Sequence, residues 1–564
     1  MNSTAGELRL WPGFVLVALM WAARYGGPVV LPEWSMQAVL GALLCSVLIL
    51  LWWLLFSRAR WMDRIGAIIL LLAFLLLTPR ILDKSIVGGM MGGMFLLYAA
   101  PIATTVLVAW AALGARRAWF VPALALVGGG FASLRTEGIS GSASSEFRWR
   151  WTPTAEEKLL LSMPAAPVVA DVAVPGQAPE ILADCPGFRG PARDGVVRGL
   201  RINADWKAAP PAVVWRKAIG PGWSSFAAGG GLLFTQEQRG EFEFVSCYRL
   251  SDGGPVWAHR DKARFWESNG GAGPRGTPLL HGDRVYALGA NGNLNALRAR
   301  DGVVVWTRNA ATDTGATIPE WGFSSSPILI DGVLVIALSG RLVGYDAETG
   351  EKKWFTSTGA GSYASPHRLG NSVAILNGRG ATAVSSADGK VLWKHEWPEN
   401  EMGYLQPVPL DDGGYLITRA GAGGGSGLRR IAAPTNGKAE ERWTSRGLKP
   451  YFSDFVVHKG HAYGFDGSIL SCIDLKDGAR KWKGGRFGNG QMLLLADQDL
   501  LLVTSEDGEV GLVSATPDEF KELARIRVLD DKTWNHPAIS GGRLLVRNGV
   551  EMVALQLGTI DVGR

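Results

Sequence analysis

The sequence predicts an eight-bladed all-β propeller that follows an N-terminal region of five membrane-spanning helices. Two observations predict this arrangement: the first 135 residues consist mainly of apolar runs, and a turn followed by tryptophan recurs every 39 to 50 residues in the C-terminal two thirds. The 74 glycines among 564 residues indicate many turns rather than disorder, because 47% of the chain is hydrophobic.

Five apolar runs in the N-terminal region are candidate membrane spans, since about 20 apolar residues cross the hydrocarbon core as a helix. They cover residues 11–31, 36–56, 65–79, 87–113 and 117–134. A cleaved signal peptide would explain the first run alone and would leave the other four unexplained. The prediction is therefore a multi-pass anchor over residues 1–135, with the lipid bilayer as its partner.

Arginines in the short loops predict the orientation of this anchor. Arg58, Arg60 and Arg64 lie between the second and third runs, and Arg116 and Arg117 lie between the fourth and fifth. Loops rich in arginine stay in the cytoplasm, so we expect a cytoplasmic N-terminus. Five spans then place the rest of the chain in the periplasm of a bacterium, attached to the inner membrane.

Residues 136–184 form a juxtamembrane segment and a linker between the anchor and the propeller. Pro153 and Thr154 stand before the sequence AEEKLL and predict the start of a short helix. The following stretch is rich in proline and alanine, which is typical of an extended spacer. The propeller itself is expected over residues 185–564.

The repeated unit of the propeller is a Gly- or Asp-rich turn followed by a short strand that ends near a tryptophan. Periods of this length with four strand-like runs are typical of propeller blades. A seventh unit, TPDEFKELARI, has Leu523 at the tryptophan position, and the strand PAVVWRKA carries a tryptophan without a preceding turn. We expect these tryptophans to pack as wedges between neighbouring blades: Trp215, Trp257, Trp306, Trp354, Trp393, Trp443 and Trp482.

The last blade shows only three strand-like runs, so its fourth strand has to come from elsewhere. The strand at residues 211–217 has no hairpin partner of its own. Pairing it with the final run MVALQL would close the ring and remove an exposed sheet edge.

The units that end in SDGGPVW, RDGVVVW and KDGARKW resemble the repeat of the pyrroloquinoline-quinone-like (PQQ-like) propellers. That family includes quinoprotein dehydrogenases and a non-enzymatic propeller lipoprotein of outer-membrane protein assembly. The segment CPGFRGPARDGV resembles the entry motif of bacterial propellers, in which tryptophan usually stands at the position of Cys185. Five spans before a periplasmic propeller are similar to the plan of the membrane-bound glucose dehydrogenase.

The resemblance implies a quinone and calcium only if the matching residues are present. The chain has no Cys-Cys pair, no CxxCH haem-attachment motif and no carboxylate cluster at the strand starts that face a channel. Carboxylates are the main ligands of Ca²⁺. We therefore expect no metal and no cofactor, with PQQ and calcium required only under the dehydrogenase alternative, and we expect the four cysteines to be free thiols.

Residues just before the first strand of each blade should lie at the mouth of the central channel. These positions are aromatic or polar, which suits a planar or peptide-like ligand. The alternative is that they only satisfy buried backbone; on that view Arg275 and Asp454 form a structural ion pair and His536 is a hydrogen-bonded core histidine. No residue is assigned a catalytic role, and the candidates are Trp223, Arg275, Trp321, Tyr363, Tyr404, Gln406, Asp454, Gln491, Trp534 and His536.

These observations favour a membrane-anchored periplasmic propeller that acts as a non-enzymatic binding or assembly scaffold for other envelope proteins. A net charge of +6 over 564 residues gives no reason to expect nucleic acid as a partner. Two alternatives remain open. One is a PQQ-dependent sugar or alcohol dehydrogenase that passes electrons to membrane quinone, and the other is a ligand sensor.

Overall fold

The computed structural model describes residues 8–27, 35–113, 119–141, 144–162, 181–359, 361–397, 401–421 and 424–560. The chain divides into two compact units. The first is Met1–Thr152 with the short excursion Glu267–Gly271, and the second is Pro153–Trp266 with Ala272–Arg564. Arg116, Arg117 and most of the Pro/Ala-rich linker lie outside the described residues.

The first unit is a bundle of apolar helices. Leu71, Phe74, Phe95, Leu107 and Phe120 belong to its buried core. Trp53 is buried among these helices, with its ring centroid 5.7 Å from that of Trp110. The helices are Trp11–Trp21, which continues as the π-helical turn Ala22–Gly26, then Ser35–Leu55, Trp61–Leu77, Lys84–Gly88, Met94–Ala112 and Phe120–Ala132.

Three helices in the described part of the chain are long and apolar enough to cross a membrane, where the sequence predicted five. They are Gln37–Leu55, Trp61–Arg80 and Met94–Ala112. Among the described residues, the first predicted span is helical over Trp11–Trp21 and Ala22–Gly26, and the last is helical over the 13 residues Phe120–Ala132. At 1.5 Å per residue the latter is roughly 20 Å long, shorter than a hydrocarbon core of about 30 Å.

A β-hairpin follows the last helix of the first unit almost immediately. Its strands are Leu134–Ile139 and Ser145–Trp149, and Leu134 pairs with Trp149. The sequence predicts a juxtamembrane segment from residue 136 onward, but no hairpin within it.

The predicted short helix is confirmed as Ala155–Ser162 in the second unit. Its N-terminus is a reciprocal capping box. The backbone N–H of Glu157 donates to the Thr154 hydroxyl at 3.0 Å, and the N–H of Thr154 donates to the Glu157 carboxylate at 2.7 Å.

The second unit is an eight-bladed propeller, as predicted, with antiparallel strands in chain order from the axis outward in each blade. Blade 1 is Ala227–Gly229, Leu232–Arg239, Phe242–Arg249 and Pro255–Asp261, with Ala183–Cys185 added beside its inner strand; blade 2 is Leu279–His281, Arg284–Leu288, Asn293–Arg298 and Val304–Asn309; blade 3 is Ile328–Ile330, Val333–Ala337, Arg341–Asp346 and Lys352–Ser357; blade 4 is His367–Leu369, Ser372–Asn377, Gly380–Ser385 and Val391–Glu396.

The remaining blades follow the same order. Blade 5 is Val408–Pro409, Tyr415–Gly421, Gly424–Ile431 and Glu441–Ser445; blade 6 is Val456–His458, His461–Asp466, Ile469–Asp474 and Arg480–Arg486; blade 7 is Gln491–Leu495, Leu500–Thr504, Glu509–Ser514 and Glu522–Arg527, with Val196–Val197 parallel to its inner strand; blade 8 is Ala538–Ser540, Arg543–Arg547 and Glu551–Gln556.

The predicted closure of the ring is confirmed. Strand Ala212–Ala218 is the fourth strand of blade 8 and runs antiparallel to Glu551–Gln556, with Trp215 opposite Ala554. The N-terminal end of the propeller therefore completes its last blade, so Glu551–Gln556 is not left as an open edge.

Six of the recurring tryptophans join their blade to the next by one hydrogen bond as well as by packing. The indole N–H of Trp257 donates to the carbonyl of Ala299 in blade 2 at 2.9 Å. The corresponding acceptors for Trp215, Trp306, Trp354, Trp443 and Trp482 are Leu250, Ala347, Ser386, Leu475 and Thr516.

The glycine of the turn is required by the same packing. Gly302 has a φ of +74°, and a Cβ placed there would lie 2.5 Å from the Trp257 ring. Both the left-handed backbone and the lack of room favour glycine. The turn and the tryptophan therefore recur together because the turn of one blade lies against the tryptophan of the blade before it.

Replacement of Trp482 by alanine should lower the free energy of unfolding by about 3–5 kcal/mol, because it leaves a cavity and an unpaired carbonyl at Thr516. Trp482 is 8% exposed. Phe355→Ala is the control, since Phe355 occupies an outer strand but is 47% exposed, and its loss should cost less than about 0.5 kcal/mol. Urea denaturation of the two variants measures both values; equal stabilities would contradict the wedge role.

Candidate functional site: the propeller channel and its mouth

The centre of the channel is occupied by the chain's own entry segment, Cys185–Val197. The amide N–H of Leu280 in blade 2 donates to the carbonyl of Pro186 at 2.7 Å, and that of Leu494 in blade 7 donates to the carbonyl of Gly195 at 2.8 Å. The ring of Phe188 packs edge-on against His536 beside blade 8, with centroids 5.6 Å apart. The segment thus bridges blades on different sides of the axis.

Arg193 of the entry segment makes hydrogen bonds to two blades. Its guanidinium donates to the carbonyls of Ser326 and Pro327 at 3.1 and 2.9 Å, and to the side-chain oxygen of Gln406 at 3.0 Å. The amide of Gln406 donates back to the carbonyl of Arg193 at 3.1 Å. Burial lowers the pKa of Arg193 to about 9, and the nearby Arg189 acts in the same direction.

Arg189 forms a buried ion pair with Asp454. The Nη1 atom of Arg189 lies 3.1 Å from Oδ1 of Asp454, and the two side chains are 1% and 3% exposed. Its Nη2 also donates to the carbonyl of Phe455 at 2.6 Å. Burial raises the pKa of Asp454, while the charge of Arg189 opposes that rise.

The suggested pairing of Arg275 with Asp454 is therefore wrong. Arg275 instead lies over the ring of Phe265, 5.0 Å from its centroid, and donates to the carbonyls of Ala272, Gly273 and Trp321. No sequence pattern relates these two loops, and the partner of Asp454 is Arg189, 265 positions earlier in the chain.

His536 is a buried neutral histidine beside this ion pair. Its Nδ1 donates to the carbonyl of Pro537 at 2.9 Å, and its Nε2 lies 3.9 Å from Asp454 Oδ2 without a hydrogen bond. Burial lowers the pKa of His536 to about 3, and the charge of Arg189 adds to the effect. A histidine that stays neutral and lies against a protein phenyl ring supports the interpretation as a core residue.

Gln491 also forms hydrogen bonds with backbone groups at the mouth of the channel. Its side-chain amide donates to the carbonyls of Phe452 and Trp534 at 3.1 and 3.3 Å, and its oxygen accepts from the amide of Asp454. Of the predicted site residues, Gln406, Asp454, Gln491 and His536 are thus used in holding the entry segment and the mouth loops.

The predicted aromatic residues lie together in one continuous series. We call it the aromatic arc: Trp321, Tyr363, Tyr404, Tyr451, Phe452, Trp534 and Trp223, taken in order of contact. Successive ring centroids are 5.0, 5.7, 5.0, 5.0, 5.0 and 4.9 Å apart. All seven side chains are partly exposed.

Charged side chains complete the arc at both ends. The Nζ of Lys532 lies 4.4 Å from the ring centroid of Trp534 and 5.5 Å from that of Trp223. Arg275 donates to the carbonyl of Trp321 at the other end. Trp534 donates its indole N–H to Glu506 at 2.9 Å, which fixes the orientation of that ring.

The residues of the channel do not fit a calcium-bound quinone. Among the described residues no group of three or more His, Cys, Asp or Glu side chains is placed to hold a metal ion. Asp454, the carboxylate that the sequence predicts at the channel mouth, already lies against Arg189. A doubly charged cation next to that guanidinium would be repelled and would lack oxygen ligands.

Two groups of site residues were missed by sequence reasoning. Arg189 and Arg193 were seen only as part of a family motif, although two arginines in a Gly/Pro-rich stretch were a signal; both adopt left-handed backbone, with φ of +63° and +55°. Tyr451 and Phe452 precede the same inner strand as Asp454, and their aromatic rings in YFSD were the signal that could have identified them.

The propeller matches a family model described as Outer membrane protein assembly factor BamB, over residues 207–381 and 358–484. A protein of that name from Burkholderia pseudomallei is 29% identical over 188 residues, which is 32% of this chain and 45% of the relative. The one from Yersinia pestis is 24% identical over 320 residues, or 54% of this chain and 70% of the relative. The chain thus spans less than half of the first relative's length.

Solved structures show similar propellers at lower identity. BamB from Moraxella catarrhalis is 16% identical, with a TM-score of 0.47 over 63% of this chain and 99% of that one. A quinohemoprotein alcohol dehydrogenase from Comamonas testosteroni is 13% identical, with a TM-score of 0.49 over 69% and 82% of the two chains.

Proposed function

The propeller of this chain belongs to the PQQ-like repeat family, and on that premise we propose that it is a non-enzymatic docking scaffold for other envelope proteins, anchored in a membrane by its N-terminal helices. One observation carries the proposal. The channel axis is filled by Arg189, Arg193 and Phe188 of the chain itself, while the aromatic arc around the mouth is partly exposed.

The composition of the arc suits a polypeptide partner. Tryptophan, tyrosine and arginine are enriched at the centres of protein interfaces and among the residues that contribute most to binding. Their rings offer large contact area with few rotatable bonds. Trp321, Tyr363 and Tyr404 pack on one another, so little further side-chain entropy is lost when a partner binds.

The relatives support an envelope partner, because several of them bear the name of an outer-membrane assembly factor. We propose that this propeller binds proteins of the same compartment. The orientation follows from Arg58, Arg60 and Arg64, which should remain cytoplasmic and place the propeller in the periplasm, with the anchor in the inner membrane.

We further propose that the chain needs neither a quinone nor calcium. The Arg189–Asp454 pair and Phe188 occupy the axis where a planar cofactor would have to stack. Titration calorimetry with pyrroloquinoline quinone, with and without Ca²⁺, should show no submicromolar binding that depends on calcium. Such binding, together with dye-linked oxidation of an alcohol or sugar, would favour the dehydrogenase.

Site-specific photocrosslinking in living cells tests the scaffold. A photoreactive phenylalanine analogue at Tyr363 or Tyr404 should give covalent adducts with envelope proteins. The same analogue at Phe355, which is exposed on an outer strand of blade 3, is the matched control and should give few. Equal adducts at Phe355 and Tyr363, or none at either arc position, would contradict the proposed docking face.

A further inference from the structure

We propose that Trp149 and Trp151, flanked by Arg148 and Arg150, form a lipid-contact surface that lies in the headgroup layer of the bilayer. The partner is the phospholipid surface itself, with indole rings at the level of the headgroups and guanidinium groups facing phosphates. This inference rests on the proposed membrane anchoring and adds a second, interfacial contact to it.

The hairpin that carries these residues is fixed to the ends of the apolar helices. The amide of Thr136 donates to the Ser85 hydroxyl at 2.9 Å, and the amide of Arg150 donates to the carbonyl of Ser133 at 2.8 Å. The ring of Phe147 packs edge-on against Tyr98, with centroids 5.1 Å apart. The hairpin therefore has a set position along the bundle axis.

In the proposed anchor that position is the end of the hydrocarbon region, because the hairpin contacts Ser85, which follows Trp61–Arg80, a helix long enough to cross the membrane. Helix Phe120–Ala132 ends two residues before Leu134, and Leu134 pairs directly with Trp149. The headgroup layer extends only about 5–8 Å beyond each side of the hydrocarbon core. Residues at this distance from the helix end therefore lie within it when the helices span the membrane.

The two tryptophans have the exposure and chemistry of interfacial anchors. Trp149 is 53% exposed and Trp151 is 70% exposed, and their rings stack with centroids 5.2 Å apart and planes 10° apart. Leaving two stacked indoles in water is unfavourable, since each is largely apolar. Indole rings concentrate at membrane interfaces because one edge is apolar and the N–H is polar.

The neighbouring arginines can bind phosphate in addition to their present partners. The guanidinium of Arg148 lies 3.8 and 3.9 Å from Glu146 and Glu137, and that of Arg150 lies 3.6 Å from Asp83. These separations exceed the 2.7–2.9 Å of a charge-assisted hydrogen bond. The side chains are 55% and 50% exposed, so both can reach a lipid phosphate.

The hairpin lies at the end of the bundle opposite Arg58, Arg60 and Arg64. Helix Trp61–Leu77 begins beside those arginines and leads to Asp83 and Ser85, which contact the hairpin. The leaflet contacted is therefore the one away from the arginine-rich loop, which is the periplasmic leaflet in the proposed orientation.

Spin-label depth measurements on the full-length protein in vesicles of phosphatidylcholine and phosphatidylglycerol test the inference. Single cysteines for labelling replace Trp149, Trp151, Ser144 or Leu76 in a Cys45→Ala background; Cys185, Cys247 and Cys472 are buried. Oxygen and a nickel chelate report the depth of each label. We expect labels at 149 and 151 near the phosphate plane, and the control label at exposed Ser144 in water.

The label at Leu76, whose side chain is 72% exposed on a helix, distinguishes a failure of the membrane anchor from a failure of the lipid-contact surface. If it lies in the hydrocarbon core while labels at 149 and 151 lie in water, the anchor holds and the lipid-contact surface is overturned. If Leu76 is also in water, the membrane anchoring itself is wrong. Strong dipolar broadening of the label at residue 151 would show that the labels of two protein molecules lie close together. The tryptophan pair would then form a contact between two copies of the chain, and the inference would be overturned.

Discussion

A propeller fragment that begins at residue 220 should fail to fold stably, whereas a fragment that begins at residue 181 should unfold cooperatively. The shorter fragment lacks strand Ala212–Ala218, so Glu551–Gln556 becomes an open edge. It also loses Trp215, whose indole donates to Leu250 in blade 1, and the entry segment that crosses the channel. An unpaired, largely apolar edge promotes pairing with other chains.

Size-exclusion chromatography and thermal melting of the two fragments measure this effect. Trp215→Ala in the longer fragment is the graded variant, and it should cost about 3–5 kcal/mol without opening the ring. The shorter fragment should elute as aggregate. A soluble monomer with an unchanged melting temperature would show that the closing strand is dispensable.

The Arg189→Met variant should lose about 3–5 kcal/mol of stability at pH 8, because it leaves the Asp454 carboxylate buried without a counter-charge. The guanidinium also donates to the carbonyls of Asp194 and Phe455, and those acceptors would be left unpaired. Arg198→Met is the matched control. Arg198 lies nine residues after Arg189 and pairs with Asp194 at 2.9 Å, and its side chain is 59% exposed. Removing this exposed ion pair should lower the free energy of unfolding by less than about 1 kcal/mol.

The loss of stability in the Arg189→Met variant, relative to the wild type, should become smaller as the pH falls from 8 towards 5. Burial raises the pKa of Asp454 above its unfolded value, so the folded state binds the proton more readily and acidification favours folding at this site. Without Arg189 the pKa of Asp454 rises further, so the stability gained by protonating Asp454 appears at a higher pH in the variant than in the wild type. Urea denaturation at several pH values measures the difference from the wild type. A deficit that grows on acidification, or an Arg198 variant that is equally destabilised, would contradict the assigned pair.

Replacing both members of the pair gives a further check. The double variant Arg189→Met, Asp454→Leu should recover part of the lost stability, because neither charge is then buried alone. If the double variant is as unstable as the sum of the single variants, the two side chains do not interact.

The sequence by itself determined the blade architecture of this protein. A tryptophan such as Trp257 and a turn glycine such as Gly302 recur in most repeats because one blade's tryptophan ring lies against the next blade's turn. Such a local requirement leaves a periodic signal in the chain. The closing strand was also predictable, since PAVVWRKA lacks a hairpin partner and the last blade lacks a strand. The mouth aromatics Trp223, Trp321 and Trp534 could be found because each stands just before an inner strand.

Only the tertiary structure decided what fills the channel and how the aromatic side chains meet. Arg189 and Asp454 are 265 positions apart, and no periodicity links an entry loop to the sixth blade. Likewise Phe452 and Trp534 touch across blade 7, although they are 82 positions apart. Ring closure brings such residues together, and their pairing depends on distances around the axis that a linear pattern does not contain. The same holds for the helices: hydropathy marked five apolar runs, but where each helix begins and ends was set by turns such as Thr78–Arg80 and by the hairpin packed on their ends.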